Sequence, residues 1–294
     1  ACEESLMVLG PRLALGASRP LLGVAGAIIG LLFILVFSYR QTIAAYPGGG
    51  GSYTVAKENL GVAAGLLSAA ALMLDYILNV AVGISAGVGA LVSAFPSLHS
   101  YILPLCLVLL ALITIVNLRG IRESGVAFLI PTYLFIGCMF LVLALGTIKV
   151  LLSGGTPTPA DTLPSLPAPV TTVSLWLLIH AFASGCTAMT GVEAVSNGVS
   201  AFRSPAHINA QRTLTVIVAT LIVLLTGIAF LARAYGIGAT TPGVTGYESV
   251  LSQLVRAVVG RNFFYYLTIG AILSVLALSA NTSFAGFPRL CQVV

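Results

Sequence analysis

The feature that most limits how this chain can fold is a series of long apolar runs with almost no charge. Residues 21–45 carry no charged side chain before Arg40, and residues 125–152 carry none before Lys149. A helix needs about 20 mostly apolar residues to cross the hydrocarbon core of a bilayer. Because hydrocarbon cannot hydrogen-bond to the backbone, a spanning segment of that length has to be helical. The sequence therefore predicts an all-α integral membrane protein.

The composition also favours a membrane location. Only 7% of the 294 residues are charged and the mean hydropathy is +1.07, whereas a soluble domain has about 25% charged residues. The formal net charge of +5 is not gathered into a basic cluster, so we expect no nucleic-acid partner. The five cysteines form no CxxC pair, and neither cysteines nor histidines have the spacing of a metal site.

We predict a single transmembrane domain over residues 1–294, made of a half-helix and about seven full spans. The half-helix is assigned to the first ten residues, and both ends of the chain look cut rather than natural. Residues 236–261 are expected to form a loop in water with a short surface helix at 248–258. The predicted spans are residues 21–45, 62–93, 102–118, 125–152, 174–202, 213–232 and 263–287.

Residues 174–202, called the interrupted segment below, are long and apolar enough to span but have an unusual middle. Glycine lowers the steric barrier to leaving helical geometry, and hydroxyl groups can bond to the backbone groups so released. An interruption of this kind indicates the substrate site of a transporter, although threonines within a span also bond to their own helix. The predicted substrate or ion contacts here are Ser184, Gly185, Thr187, Thr190 and Gly191.

Two carboxylates fall at membrane depth. Asp75 lies about midway along its span, and no other charged residue occurs between Glu58 and Arg119. Such residues usually face a cavity or an ion path, so we predict that Asp75 binds the substrate or a coupling proton. The alternative is a protonated aspartic acid that holds helices together. Glu193 follows the interruption and has two open interpretations, a cap on released backbone amides or the carrier of a coupling proton.

Polar and small residues extend the predicted site along the same helix as Asp75. Asn79 lies one turn further on, and Tyr76, Asn79 and Gly83 follow helical i, i+3, i+7 spacing. We predict that these three residues also line the substrate site. Gly83 and Gly87 form a GxxxG pair, which indicates close packing against another helix.

Three stretches resemble the signature sequences of the amino acid–polyamine–organocation (APC) superfamily of permeases. They are SYRQTIAAYPGGGGSYTVAKENLG at 38–61, GVEAVSNG at 191–198 and NTSFAGFPRL at 281–290. The resemblance implies a LeuT-type fold with two inverted five-helix repeats in which helices 1 and 6 are broken. On that map the chain runs from the outer half of helix 1 to helix 8, truncated at both ends, with residues 45–61 on the cytoplasmic side.

Within the superfamily the chain is most similar to the KUP-like potassium–proton symporters. Asp75, Tyr76 and Thr190 match residues of that branch, whereas its two later hydroxyl residues are replaced here by Asn79 and Gly83. The missing hydroxyl and the space expected at Gly83 favour an amino acid as substrate. The resemblance thus implies a secondary active permease, proton-coupled, for an amino acid or a related small cation or zwitterion. Potassium–proton symport is the alternative, and a non-transporting membrane sensor with the same fold is another.

The same resemblance sets the remaining expectations. We expect a multi-pass protein of the cell membrane that is not an enzyme. It is expected to use no cofactor other than a coupling ion, H⁺. Its expected partners are the transported small molecule or ion and the lipid bilayer, and a homodimer is left open.

Overall fold

The computed structural model describes residues 18–46, 51–119, 125–164, 174–189, 192–199, 202–240 and 246–293. Within these ranges the chain is built from helices and loops, without strands. The α-helices are α1 (Ser18–Ala45), α2 (Ser52–Leu60), α3 (Val62–Ala94), α4 (Ile102–Leu118), α5 (Gly125–Leu152), α6 (Leu175–Gly185), α7 (Ala194–Asn197), α8 (Ala206–Ala234), α9 (Val250–Val259) and α10 (Phe263–Val293). Short 3₁₀ helices occupy Pro96–Tyr101 and Cys186–Met189.

Six helical segments of the described chain are long and apolar enough to cross a membrane. Many of their large apolar side chains point outward, including Phe37 (67% exposed) and Leu67 (74% exposed). In water such a surface would be unfavourable, whereas a bilayer covers it with hydrocarbon. The protein is therefore a multi-pass membrane protein. The six segments are residues 22–45, 62–94, 96–118, 129–152, 206–234 and 263–292.

The helix boundaries agree with the predicted spans in most places. α3, α4 and α5 match their predictions to within one residue at either end. α8 begins at Ala206 rather than at residue 213, and α10 continues through Pro288 instead of ending there. The glycine-rich connection at 45–61, expected on the cytoplasmic side, contains the helix α2. The predicted half-helix at the start of the chain lies outside the described residues.

α3 and α10 approach each other closely along the glycines of α3. A Cβ atom on Gly83 would lie 3.0 Å from the Leu276 carbonyl oxygen of α10. One turn later, a Cβ atom on Gly87 would lie 3.1 Å from Leu273 Cδ1. This close approach is what the GxxxG spacing predicts.

The short helix α9 is part of the core, so the prediction of a surface helix in a wet loop was wrong. All of its residues except Leu251 and Val259 are buried. Its two ends are held by the neighbouring helices: Ser93 Oγ accepts from the Ser249 amide at 2.8 Å, and Lys149 Nζ donates to the Val258 carbonyl at 2.6 Å. The apolar face of α9 therefore closes one end of the helix bundle instead of facing water.

A buried ion pair ties α9 to the loop that follows α5. Arg256 Nη2 lies 3.1 Å from Glu248 Oε2 and also donates to the Thr162 carbonyl. Ser252 Oγ donates to the other Glu248 oxygen at 2.9 Å. Burial raises the pKa of the Glu248 carboxyl group, while the charge of Arg256 opposes that rise. The loop that follows α5 is thus anchored, at Thr162, to a charged pair in the core.

Candidate functional site

The interrupted segment is broken at its glycine and hydroxyl residues. The α-helix α6 ends at Gly185, a 3₁₀ helix covers Cys186–Met189, and α-helical structure resumes at Ala194 in α7. A change of helix type releases backbone groups from i→i−4 bonding. Thr190 and Gly191 lie outside the described residues, so their predicted contacts stay predictions.

The Thr187 hydroxyl group, in the 3₁₀ helix, bonds to its own segment. Thr187 Oγ1 donates to the Ser184 carbonyl at 2.7 Å, which is the bonding that the alternative interpretation of these threonines anticipates. Ser184 is half-buried and Gly185 is buried. Direct contact of Ser184, Gly185 and Thr187 with a substrate remains a prediction.

Glu193 lies just after the break and is held from a different part of the chain. Ser52 Oγ, at the start of α2, donates to Glu193 Oε2 at 3.0 Å. The side chains of Tyr39 and Asn197 also interact with this carboxyl group. The other oxygen, Oε1, is buried and has no hydrogen-bond partner among the described residues. Glu193 occupies the cap position of α7, but its side chain makes no capping bond there.

Asp75 and Glu193 come near enough for their charges to interact. Asp75 is half-buried in the middle of α3, and its charge acts unfavourably on the Glu193 carboxylate. Two carboxylates that share a poorly hydrated site favour the uptake of a proton or a cation, because neutralising one of them removes the repulsion. Of the two membrane-depth carboxylates that the sequence singles out, Asp75 thus acts on Glu193 through its charge.

Tyr76, Asn79 and Gly83 lie along the contact between α3 and α10. Asn79 Nδ2 donates to Ser283 Oγ at 2.7 Å, and the Tyr76 ring lies against Gly286, where a Cβ atom would come within 3.1 Å of Tyr76 Cζ. The Leu276 carbonyl oxygen occupies the space expected beside Gly83. These residues share a face as predicted, and their contact with a substrate stays a prediction.

A cavity of about 610 Å³ opens beside this contact, between α3, α4 and α10. Its walls are almost entirely apolar and include Ile84, Leu110 and Phe284. The residues with a hydroxyl group in the lining are Tyr76, Ser85 and Ser283. An apolar wall offers no ligands to replace the hydration shell of an ion. The carboxyl pair, and not this cavity, therefore has the chemistry of an ion site.

Sequence reasoning missed the partners that hold these residues. Ser52 lies within the family signature at 38–61, and nothing in its local sequence links it to Glu193. Ser283 stands one helical turn after Ser279, to whose carbonyl oxygen Asn79 also donates at 3.4 Å. Ser279 and Ser283 are polar residues four positions apart in an apolar span, and this spacing could have indicated that they share a face that contacts another helix.

The broken segment, the paired carboxylates and the long apolar helices together define a class of protein, the membrane permeases. A family model described as amino acid permease matches residues 7–293, so the chain belongs to that family, within the APC superfamily. The chain is also 44% identical over 287 residues to the potassium transporter KimA of Bacillus subtilis (strain 168). That match covers 98% of this chain and 46% of KimA, so the chain spans about half the length of this relative.

Proposed function

We propose that this chain forms the ion-binding part of a proton-coupled potassium transporter. The single observation that carries the proposal is the place of Glu193 just after the break of the interrupted segment, where one carboxyl oxygen accepts from Ser52 and the other is buried without a hydrogen-bond partner among the described residues. The likeness to KimA, a potassium transporter by name, supports the same choice of ion. The proposal reverses the order of preference that the sequence alone favoured, in which an amino acid came first.

The chemistry of the site suits a monovalent cation. A cation that leaves water needs oxygen ligands and compensation of its charge. Asp75 supplies the negative charge. The amide nitrogen of Asn79 donates to Ser283, and its amide oxygen is the atom that would bind the ion. Tyr76 supplies a hydroxyl group on the same face of α3. In this arrangement Asp75 is the principal ligand, and Tyr76 and Asn79 complete the ion's shell.

Proton coupling follows from the charge of the loaded site. With a potassium ion beside ionised Asp75 and a proton on Glu193, the charges of the site sum to zero. A neutral site moves across the bilayer at much lower cost than a charged one. Glu193 is thus the proton carrier and Asp75 the ion ligand, and the break between α6 and α7 is the element around which access alternates.

An amino acid is the second candidate substrate. The description of the matching family and the replacement of hydroxyl residues by Asn79 and Gly83 favour it. Against it, the Leu276 carbonyl fills the space beside Gly83 that a larger substrate would use. A direct uptake measurement separates the two candidates.

The test uses the full-length protein in proteoliposomes with an inward pH gradient. Rubidium, a tracer for potassium, and labelled amino acids are offered separately, with and without a protonophore. We expect rubidium uptake that excess potassium inhibits and that the protonophore abolishes. Uptake of an amino acid without rubidium uptake would overturn the choice of ion, and rubidium uptake indifferent to the protonophore would remove the proton coupling.

A further inference from the structure

The helix α2 reaches Glu193 from outside the interrupted segment. Ser52 is the first residue of α2, and its hydroxyl group donates to Glu193 Oε2 at 3.0 Å in a partly buried setting. The bond joins residues that are 141 positions apart in the chain. It uses one carboxyl oxygen, while Oε1 stays buried without a hydrogen-bond partner among the described residues.

α2 is held firmly enough to act as a fixed support. A Cβ atom on Gly65 of α3 would lie 2.8 Å from Lys57 Cβ, so α2 and α3 touch without a gap. Tyr53 of α2 is buried in the fold, and within α2 its hydroxyl group accepts from Lys57 Nζ at 3.0 Å. A donor on such a support orients its acceptor at little entropic cost, because the donor is already in place.

We propose that Ser52 is a positioning residue for the Glu193 carboxyl group. It fixes one oxygen of Glu193 and leaves Oε1 as the oxygen at which the coupling proton binds. This inference rests on the proposed function, in which Glu193 carries the proton.

A change in proton affinity follows from this assignment. Among the described residues, the groups that act on Glu193 are Tyr39 from α1, Asp75 from α3, Asn197 from α7 and Ser52 from α2. A hydroxyl donor favours the ionised form of a carboxyl group, whereas the charge of Asp75 disfavours it. Without the Ser52 hydroxyl, the remaining groups hold the proton on Glu193 up to a higher pH.

The test compares Ser52→Ala, Ser52→Thr and Ser52→Cys in the full-length protein. Rubidium uptake into proteoliposomes is measured as a function of external pH, after gel filtration has shown that each variant is folded. We expect Ser52→Ala to move the pH of half-maximal uptake upward by about one unit. Ser52→Thr, which keeps a hydroxyl donor, restores the original pH, and Ser52→Cys, with a weak donor, lies between them.

Ser274→Ala is the matched control, because the Ser274 hydroxyl donates only to the Gly270 carbonyl of its own helix at 2.8 Å. Its pH profile should equal that of the unmodified protein. An unchanged profile in folded Ser52→Ala overturns the proposal, and if that variant does not fold, an unchanged profile in Ser52→Cys does so. Absence of rubidium uptake by the unmodified protein defeats the proposed function instead, so the two failures are distinguishable.

Discussion

Asp75 and Glu193 are ionisable side chains placed where ionisation is unfavourable, and each is engaged with other groups. Glu193 accepts a hydrogen bond from Ser52, and the negative charge of Asp75 repels its carboxylate. A carboxyl group kept at membrane depth only to join helices would be equally well served by its neutral amide. A group that binds a cation would not, because the amide has no charge.

Replacing Asp75 by asparagine separates these two roles. We expect Asp75→Asn to fold and to lose rubidium uptake by at least tenfold, because the variant keeps the size of the side chain and removes its charge. The measurement is initial uptake into proteoliposomes at equal protein content. The matched control adds Asn117→Asp to the Asp75→Asn variant, which places a carboxyl group on α4 instead of α3. Asn117 hydrogen-bonds to Asn281 at 2.6 Å. We expect this second substitution not to restore rubidium uptake.

Full rubidium uptake by Asp75→Asn would contradict the assignment. It would favour a structural role for Asp75 and would be consistent with a protein that keeps the fold without using this site. A membrane sensor that does not transport would show no rubidium uptake in the unmodified protein, so the measurement on the unmodified protein tests that alternative.

Among the helices, those that span the bilayer could be predicted well from the sequence, whereas α2 was not predicted and α9 was predicted as a helix but placed on the surface. The ends of α3, α4 and α5 follow from hydropathy because an uncharged run of sufficient length has few alternatives in a bilayer. α2 is short and polar within a glycine-rich stretch, so no periodic apolar pattern marked it. α9 carries apolar residues at helical spacing, but burial on nearly all sides depends on neighbours that are distant in the chain.

The same contrast holds for the candidate site. Asp75 and Glu193 stand out because charge is rare in apolar spans, and the break at Gly185 follows from residue type. The contact of Ser52 with Glu193, and that of Leu276 with Gly83, depend on how α2 and α10 lie in the folded chain. Spacing along one helix gives no information about those distances.

At the level of the element α9, the ion pair between Arg256 and Glu248 gives a stability prediction. We expect Arg256→Leu to destabilise the protein by about 3–5 kcal/mol, because it leaves the Glu248 carboxylate buried without its cation. The measurement is the thermal unfolding of the purified protein in detergent. Arg233→Leu is the control, because Arg233 is exposed at the end of α8.

A double variant makes this prediction sharper. Adding Glu248→Leu to Arg256→Leu should recover part of the lost stability, since apolar residues often replace a buried ion pair at little cost. Equal melting temperatures for Arg256→Leu and Arg233→Leu would show that the pair contributes nothing to holding α9.

At the scale of the whole molecule, the described helices belong to a multi-pass membrane protein of the amino acid permease family, and groups from α2 and α3 act on Glu193 just after the break. The LeuT-type arrangement of two inverted repeats stays a prediction, since the described residues do not by themselves display two repeats. Membership of the amino acid permease family does not decide between an ion and an amino acid. That decision depends on what binds at Asp75.

The most direct test is therefore to locate a bound cation in an experimental structure of the full-length protein. Thallium, which is close to potassium in size and charge, can be identified by its anomalous scattering. We expect a thallium peak in contact with the Asp75 carboxylate, near Tyr76 and Asn79, that excess potassium displaces. A peak elsewhere with the Asp75 site empty, or amino acid density at the break in its place, would contradict it.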